Sequence, residues 1–140
     1  FGKWRVNTVI HGFTNHLGGL CSTYSTTDDI ILIGKRKSDM MLAFNRMKEL
    51  GGGVVLAHDN EIIYEIPLTL NGAMYDGDMT ELIEKEKKCV KIIKEAGYPF
   101  EDPIYTLLFL SSTHLPYIRV TQQGIVDVMK KEVIVPANMR

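Results

Sequence analysis

At 140 residues, with 45% hydrophobic and 24% charged side chains, the chain has the size and composition of one ordinary globular domain with room for a core. A formal net charge of -1 gives no electrostatic case for nucleic acid or an anionic membrane as partner, and no apolar run nears the roughly 20 residues of a bilayer-spanning helix. Cys21 and Cys89 are too few and too far apart for a disulfide scaffold or a zinc knuckle, so a reducing cytoplasm is the expected setting.

The start, Phe1-Gly2-Lys3-Trp4-Arg5, is neither a secretory nor a transit signal. It lacks an initiator methionine and runs almost at once into a strand, as expected of a piece of a longer protein. Trp4 to His11 is rich in β-branched residues, with Val6, Thr8 and Ile10 sharing one face of that predicted strand. Thr14 to Gly19 reads as a turn in which Gly18-Gly19 suits positive φ. Leu20 to Tyr24 is a second strand, expected antiparallel to the first. The run Ile30 to Ile33, within Asp28 to Gly34, has the pattern of a strand buried on both faces.

Ser38 is the expected N-cap of a helix, with Asp39 in its first turn facing the helix dipole. Met40, Ala43, Phe44, Met47 and Leu50 form its apolar stripe, and Gly51 stops it. Gly53 to His58 and Glu61 to Leu68 are strands joined by an Asp59-Asn60 hairpin turn. A second helix runs from a capping Asp78, with Glu81 completing a capping box, to Gly97. Leu82, Cys89, Ile93 and Ala96 share its apolar face, and Glu81/Lys85 and Glu84/Lys88 are supporting pairs. Asp102-Pro103 starts a third helix in which Tyr105 to Leu110 is apolar nearly all round and expected to be buried. Tyr117 to Thr121, Gly124 to Val128 and Lys131 to Val135 supply the remaining strands. The sum is a single α+β domain over residues 1–140, a largely antiparallel sheet covered by helices.

Most chemistry-bearing residues have a plain structural explanation. His11, His16, His58 and His114 lack metal-ligand spacing. Cys21 and Cys89 fall on apolar strand and helix faces, where a small buried hydrophobe outweighs a nucleophile. Gly51-Gly52-Gly53 follows a helix instead of preceding one, which favours a helix stop over a phosphate loop. Lys35-Arg36-Lys37 lies just ahead of a helix N-terminus, where cations oppose the dipole unless an anion is bound. A solvated charge run explains it as well. No nucleophile–base pair and no metal set emerges, so no catalytic residue is assigned. The remaining candidate is the polar turn Ser25, Thr26, Thr27, Asp28 and Asp29. Its three hydroxyls and two carboxylates could hydrogen-bond an amino-bearing ligand or only satisfy their own backbone.

Several motifs carry a family resemblance. They are Ser22, Ile30-Ile31, Gly34, Asp39-Met40, Asn45-Arg46, Gly51-Gly52-Gly53-Val54-Val55, Glu65-Ile66-Pro67-Leu68 and Gly72-x-Met74. Further along come Glu101-Asp102-Pro103, Thr106-Leu107-x-Phe109-Leu110, and Thr121 with Gly124-Ile125-Val126-Asp127-Val128. In order and spacing, from about Trp4 to the C-terminus, they resemble the C-terminal domain of the adenine deaminases of the amidohydrolase superfamily. One departure stands out: where that family's signature has His-Asp-Ser-His-Asn, this chain has Ser25-Thr26-Thr27-Asp28-Asp29.

The resemblance implies a parent hydrolase of purine metabolism with an upstream (β/α)8 barrel. Histidine and aspartate ligands there would hold one or two divalent ions (Mn, Fe or Zn) that lower the pKa of bound water, and adenine would be deaminated to hypoxanthine and ammonia. This chain would hold no cofactor itself. It would pack on the barrel as a non-catalytic accessory domain, with the 25–29 turn close to the purine substrate. An apolar patch bordered by Leu68 to Met74 and Tyr105 to Leu110 would be left exposed without the barrel, and could support homodimers. The alternative is a free-standing regulatory or anion- or nucleotide-binding domain built on Lys35 to Ser38.

Overall fold

The computed structural model describes residues 3–139. Its centre is an antiparallel sheet of β2 (Gly19–Ser22), β3 (Ile31–Gly34), β4 (Gly53–His58) and β5 (Glu61–Pro67), in the spatial order β3-β2-β4-β5. Alternation along the strands sends side chains to two faces. Leu20, Val54, Leu56 and Ile66 meet α2 (Met79–Glu95) and α3 (Pro103–Phe109) through Cys89, Ile93 and Leu107. Cys21, Val55 and Ala57 meet α1 (Lys37–Leu50) through Ala43 and Met47. The expected α+β class, with an antiparallel sheet covered by helices, is therefore the observed one.

Two smaller sheets flank this body. A short β1 (Trp4–Arg5) pairs with β9 (Asn138–Met139), and β6 (Ile118–Thr121), β7 (Gly124–Asp127) and β8 (Glu132–Pro136) form a meander. The predicted first strand thus stops at Arg5, and β2 pairs with β3 and β4 instead of with β1. Residues with strand propensity from Val6 to His11 find no neighbouring strand there, and propensity without a partner makes no ladder.

The doubly buried strands are β2 and β4, in the middle of the sheet. β3, expected to be buried on both faces, is an edge, with Leu32 38% exposed and Ile30, just before it, 45% exposed. Ser38 lies inside α1. The N-cap position belongs to Arg36, whose side chain makes no cap bond, and the backbone N–H groups of Lys35 and Arg36 donate to the Gly18 carbonyl. Gly18 and Gly19 are needed for close approach and not for positive φ. A Cβ on Gly19 would lie 2.4 Å from the Asp39 carbonyl carbon, because the N-terminus of α1 rests on this corner.

Local signals are realised more directly. Gly51 adopts φ 81 and ends α1, and Asp59 and Asn60 both have positive φ in the β4–β5 turn. The carboxylate of Asp78 accepts from the N–H groups of Thr80 and Glu81, and that of Asp102 from those of Ile104 and Tyr105. Glu81 pairs with Lys85 at 3.3 Å and not with the Asp78 N–H, so the capping box is half made. Glu84 pairs with Lys87 at 2.8 Å in place of Lys88, whose ammonium sits over the Tyr64 ring. The third helix has one inward face, Ile104 and Leu107. Tyr105, expected buried, is 56% exposed on the other.

Candidate functional site

The polar turn leaves the centre of the sheet between β2 and β3, and its first hydroxyl anchors it. Ser25 is 7% exposed, and its Oγ accepts from the N–H groups of Thr27 at 3.2 Å and Asp29 at 3.3 Å. The same Oγ lies 3.0 Å from the Ser111 Oγ, and Thr26 bonds Ser112 in the next rung. Two consecutive hydroxyl pairs therefore fasten the turn to the segment that follows α3. Thr27 donates its hydroxyl to Asp29 Oδ2 at 2.6 Å. Asp28 is exposed at φ 56, a left-handed conformation that aspartate tolerates better than most residues.

Residues Ser111 to Thr113 are tied in turn to the meander. The Arg119 guanidinium donates to the Ser112 carbonyl at 3.1 Å, and the Val120 N–H to the Leu110 carbonyl at 3.0 Å. Where the turn, this segment and the meander meet there is a cleft of about 360 Å³. Thr27, Asp29, Ser111, Thr113, Val126 and the Thr121–Gln123 turn line it. The structure thus brings Thr27 and Asp29 to one cleft wall, with Ser25 and Thr26 behind them as fasteners, and Asp28 outside the lining. Ser111, Thr113, Gln122 and Gln123 carried no signal that could have found them. Ser111 meets Ser25 only through a pairing across 86 residues, and Thr113, Gln122 and Gln123 join the turn only as walls of the same cleft.

The other candidates resolve into structure. Both cysteines are buried, and burial pushes each thiol up to about 12, which leaves no thiolate for attack. Among the described residues no group of three or more His, Cys, Asp or Glu side chains is placed to hold a metal ion. Arg36, at the centre of the cation run, pairs with the fully buried Asp39 at 2.9 Å and also bonds Asp59. Its half-exposed charge is thereby paired with two of the chain's own carboxylates, which weakens the expected anion site at its middle. The triple glycine closes α1 and opens β4. A Cβ on Gly52 would sit 2.5 Å from the Gly72 Cα.

A second, apolar groove of about 470 Å³ opens between the sheet and α2, walled by Tyr24, Ile66, Leu68, Met74, Met79 and Ile104. Leu68 is buried while Leu70 and Met74 are exposed, so the segment expected to border an apolar patch does border one. No helix among the described residues is long and apolar enough to cross a membrane.

A family model described as the adenine deaminase C-terminal domain matches residues 2–132. A Bacillus subtilis (strain 168) protein named "Putative adenine deaminase YerA" is 57% identical over 139 residues, which is 99% of this chain and 24% of that protein. A Bacillus anthracis relative with the same description is 55% identical over 139 residues, again 99% and 24%. The adenine deaminase of Brucella melitensis biotype 1 is 31% identical over 126 residues, covering 89% of this chain and 22% of its own length. The chain spans about a quarter of the length of the relatives it matches.

Proposed function

The chain belongs to the adenine deaminase C-terminal domain family, and on that premise we propose that it is the accessory domain of a larger hydrolase that converts adenine and water to hypoxanthine and ammonia. The observation that carries this reading is the family match over residues 2–132, joined to relatives named for adenine deamination and about four times as long. The chain contributes shape and not chemistry. Its thiols are protonated and buried, and the donor set for a divalent ion is not assembled among its described residues. A resident Mn, Fe or Zn ion does not fit here and belongs to the preceding (β/α)8 barrel.

Two surfaces suit the accessory role. The apolar groove of Leu68, Met74 and Met79 is the face that packs against the barrel, since interfaces between domains bury such surface. The Ser25–Asp29 turn, with its carboxylates on an exposed rim, borders the substrate mouth. Cytoplasmic purine salvage is the setting this activity fits. The reading is tested by following ammonia release from adenine and from other aminopurines with the full-length protein. Adenine is the expected substrate. Turnover of a different aminopurine alone, or of none, overturns it.

A further inference from the structure

We propose that the cleft between the Ser25–Asp29 turn and the β6–β7 turn recognises the donor–acceptor edge of a neutral, amino-bearing heterocycle, and that Gln122 and Gln123 set its specificity together with Asp29. This deepens the reading that the 25–29 turn borders the substrate site, and rests on it.

The backbones of both turns are held in place before any ligand arrives. On one side Ser25 accepts from two backbone N–H groups, and Ser111 and Ser112 hold the turn from behind. On the other, Thr121 Oγ1 accepts from the Gln123 N–H at 3.1 Å and donates to the Gly124 carbonyl at 2.9 Å. The Gln123 carbonyl accepts from the Ala137 N–H at 2.9 Å. Gly124 is at φ 131, and a Cβ there would lie 2.0 Å from the Val135 carbonyl oxygen, so only glycine fits this turn against β8.

The side-chain heads, by contrast, are spare. The carboxamides of Gln122 and Gln123 are exposed and, among the described residues, bond no other side chain or backbone group, while Asp29 uses only Oδ2 for Thr27. Fixed backbones lower the ordering cost of binding, and the unspent heads keep their hydrogen-bonding capacity for a ligand.

The chemistry of the lining narrows the ligand. No lysine or arginine lines the cleft, and Arg119 beside it spends its guanidinium on the Ser112 and Ile118 carbonyls. With Asp29 as the lone charge in the lining, phosphate esters are repelled. A carboxamide presents a donor and an acceptor side by side, which matches an amino group next to a ring nitrogen, and a carboxylate accepts from an amino group. About 360 Å³ lies at the small end of ligand sites and is ample for a free base.

The test uses the full-length protein with Gln122→Leu and Gln123→Leu combined. The KM for adenine is expected to rise roughly tenfold or more, the value of a lost bidentate contact, with kcat within about twofold and Tm unchanged. A purely structural role would move Tm instead. Gln123→Lys, which adds a cation to the cleft, is expected to introduce inhibition by adenosine monophosphate. A protein inactive on adenine would fail the proposed function but leave the cleft readable by equilibrium dialysis with adenine, which is then not consumed. Unchanged KM and unchanged adenine binding in the double variant, or no adenine binding by the wild type, overturns the inference.

Discussion

Thr23 shows how one side chain can tie together parts of the fold that are far apart in sequence. Its Oγ1 accepts from the buried Gly53 N–H at 2.8 Å and donates to the Gly72 carbonyl, joining the end of β2 to the start of β4 and to the loop beside the apolar groove. Thr23→Val keeps the shape and removes both bonds. It leaves the Gly53 N–H unpaired away from water, so a cost of about 1–3 kcal/mol is expected. Chemical denaturation of the wild type and variant measures it directly, and equal midpoints would mean that water replaces the hydroxyl. Nothing in the sequence around Thr23 marks this role, because its partners are 30 and 49 residues away. Gly18 and Gly19 are an intermediate case. The pair was visible as special, but the reason, a helix N-terminus and the Asp39 carboxylate lying against it, needs the packed fold. Asp39 likewise reads in sequence as a dipole partner. Its complete burial and its acceptance from the Asn60 N–H belong to tertiary structure, although its ion pair with the half-exposed Arg36 is local.

Between elements, the most defined polar contact joins α1 to β5. Arg46 forks onto Glu65 through Nε at 2.7 Å and a terminal nitrogen at 2.8 Å, a bidentate geometry of the stronger kind. The hydrogen bond from Arg46 holds the Glu65 carboxyl below its usual value of 4.5. A carboxyl with a depressed folded pKa binds fewer protons in the native state than in the unfolded one. Its stabilisation is therefore complete above about pH 4.5 and is lost as pH falls through the lower folded value. Glu65→Gln is expected to narrow the gap to wild type progressively below that point in denaturation series from pH 7 to 3. A gap independent of pH would show the pair to be irrelevant to acid stability.

Element identity was legible where the signal is local. The caps at Asp78 and Asp102, the stop at Gly51 and the Asp59-Asn60 turn depend on neighbours a few residues away. What was not legible is which strand is central. The run Ile30 to Ile33 looks more buried than Leu20 to Ser22, yet pairing order puts β3 at the edge and β2 inside. An apolar run records only that burial is tolerated, while the sheet order decides how many faces are covered.

For the whole molecule, the candidate site joins a readable half to an unreadable one. The 25–29 turn stands out by composition, whereas Ser111, Thr113 and Gln122-Gln123 are ordinary loop residues until α3 and the meander fold them against it. The chain has an intact scaffold without an assembled metal donor set among its described residues, so the 140-residue domain alone is expected to release no ammonia from adenine. The decisive measurement belongs to the full-length protein with Asp28→Ala and Asp29→Ala combined. Asp28 is exposed and Asp29 is held mainly by Thr27, so removing both carboxylates should leave Tm close to wild type. If these carboxylates accept from the amino group of the substrate, kcat/KM falls roughly tenfold or more, the worth of one charge-assisted hydrogen bond. Full activity at an unchanged Tm would reduce them to turn residues. Loss of activity only in step with unfolding would assign them to stability, because a contact to substrate lowers turnover in protein that is still folded.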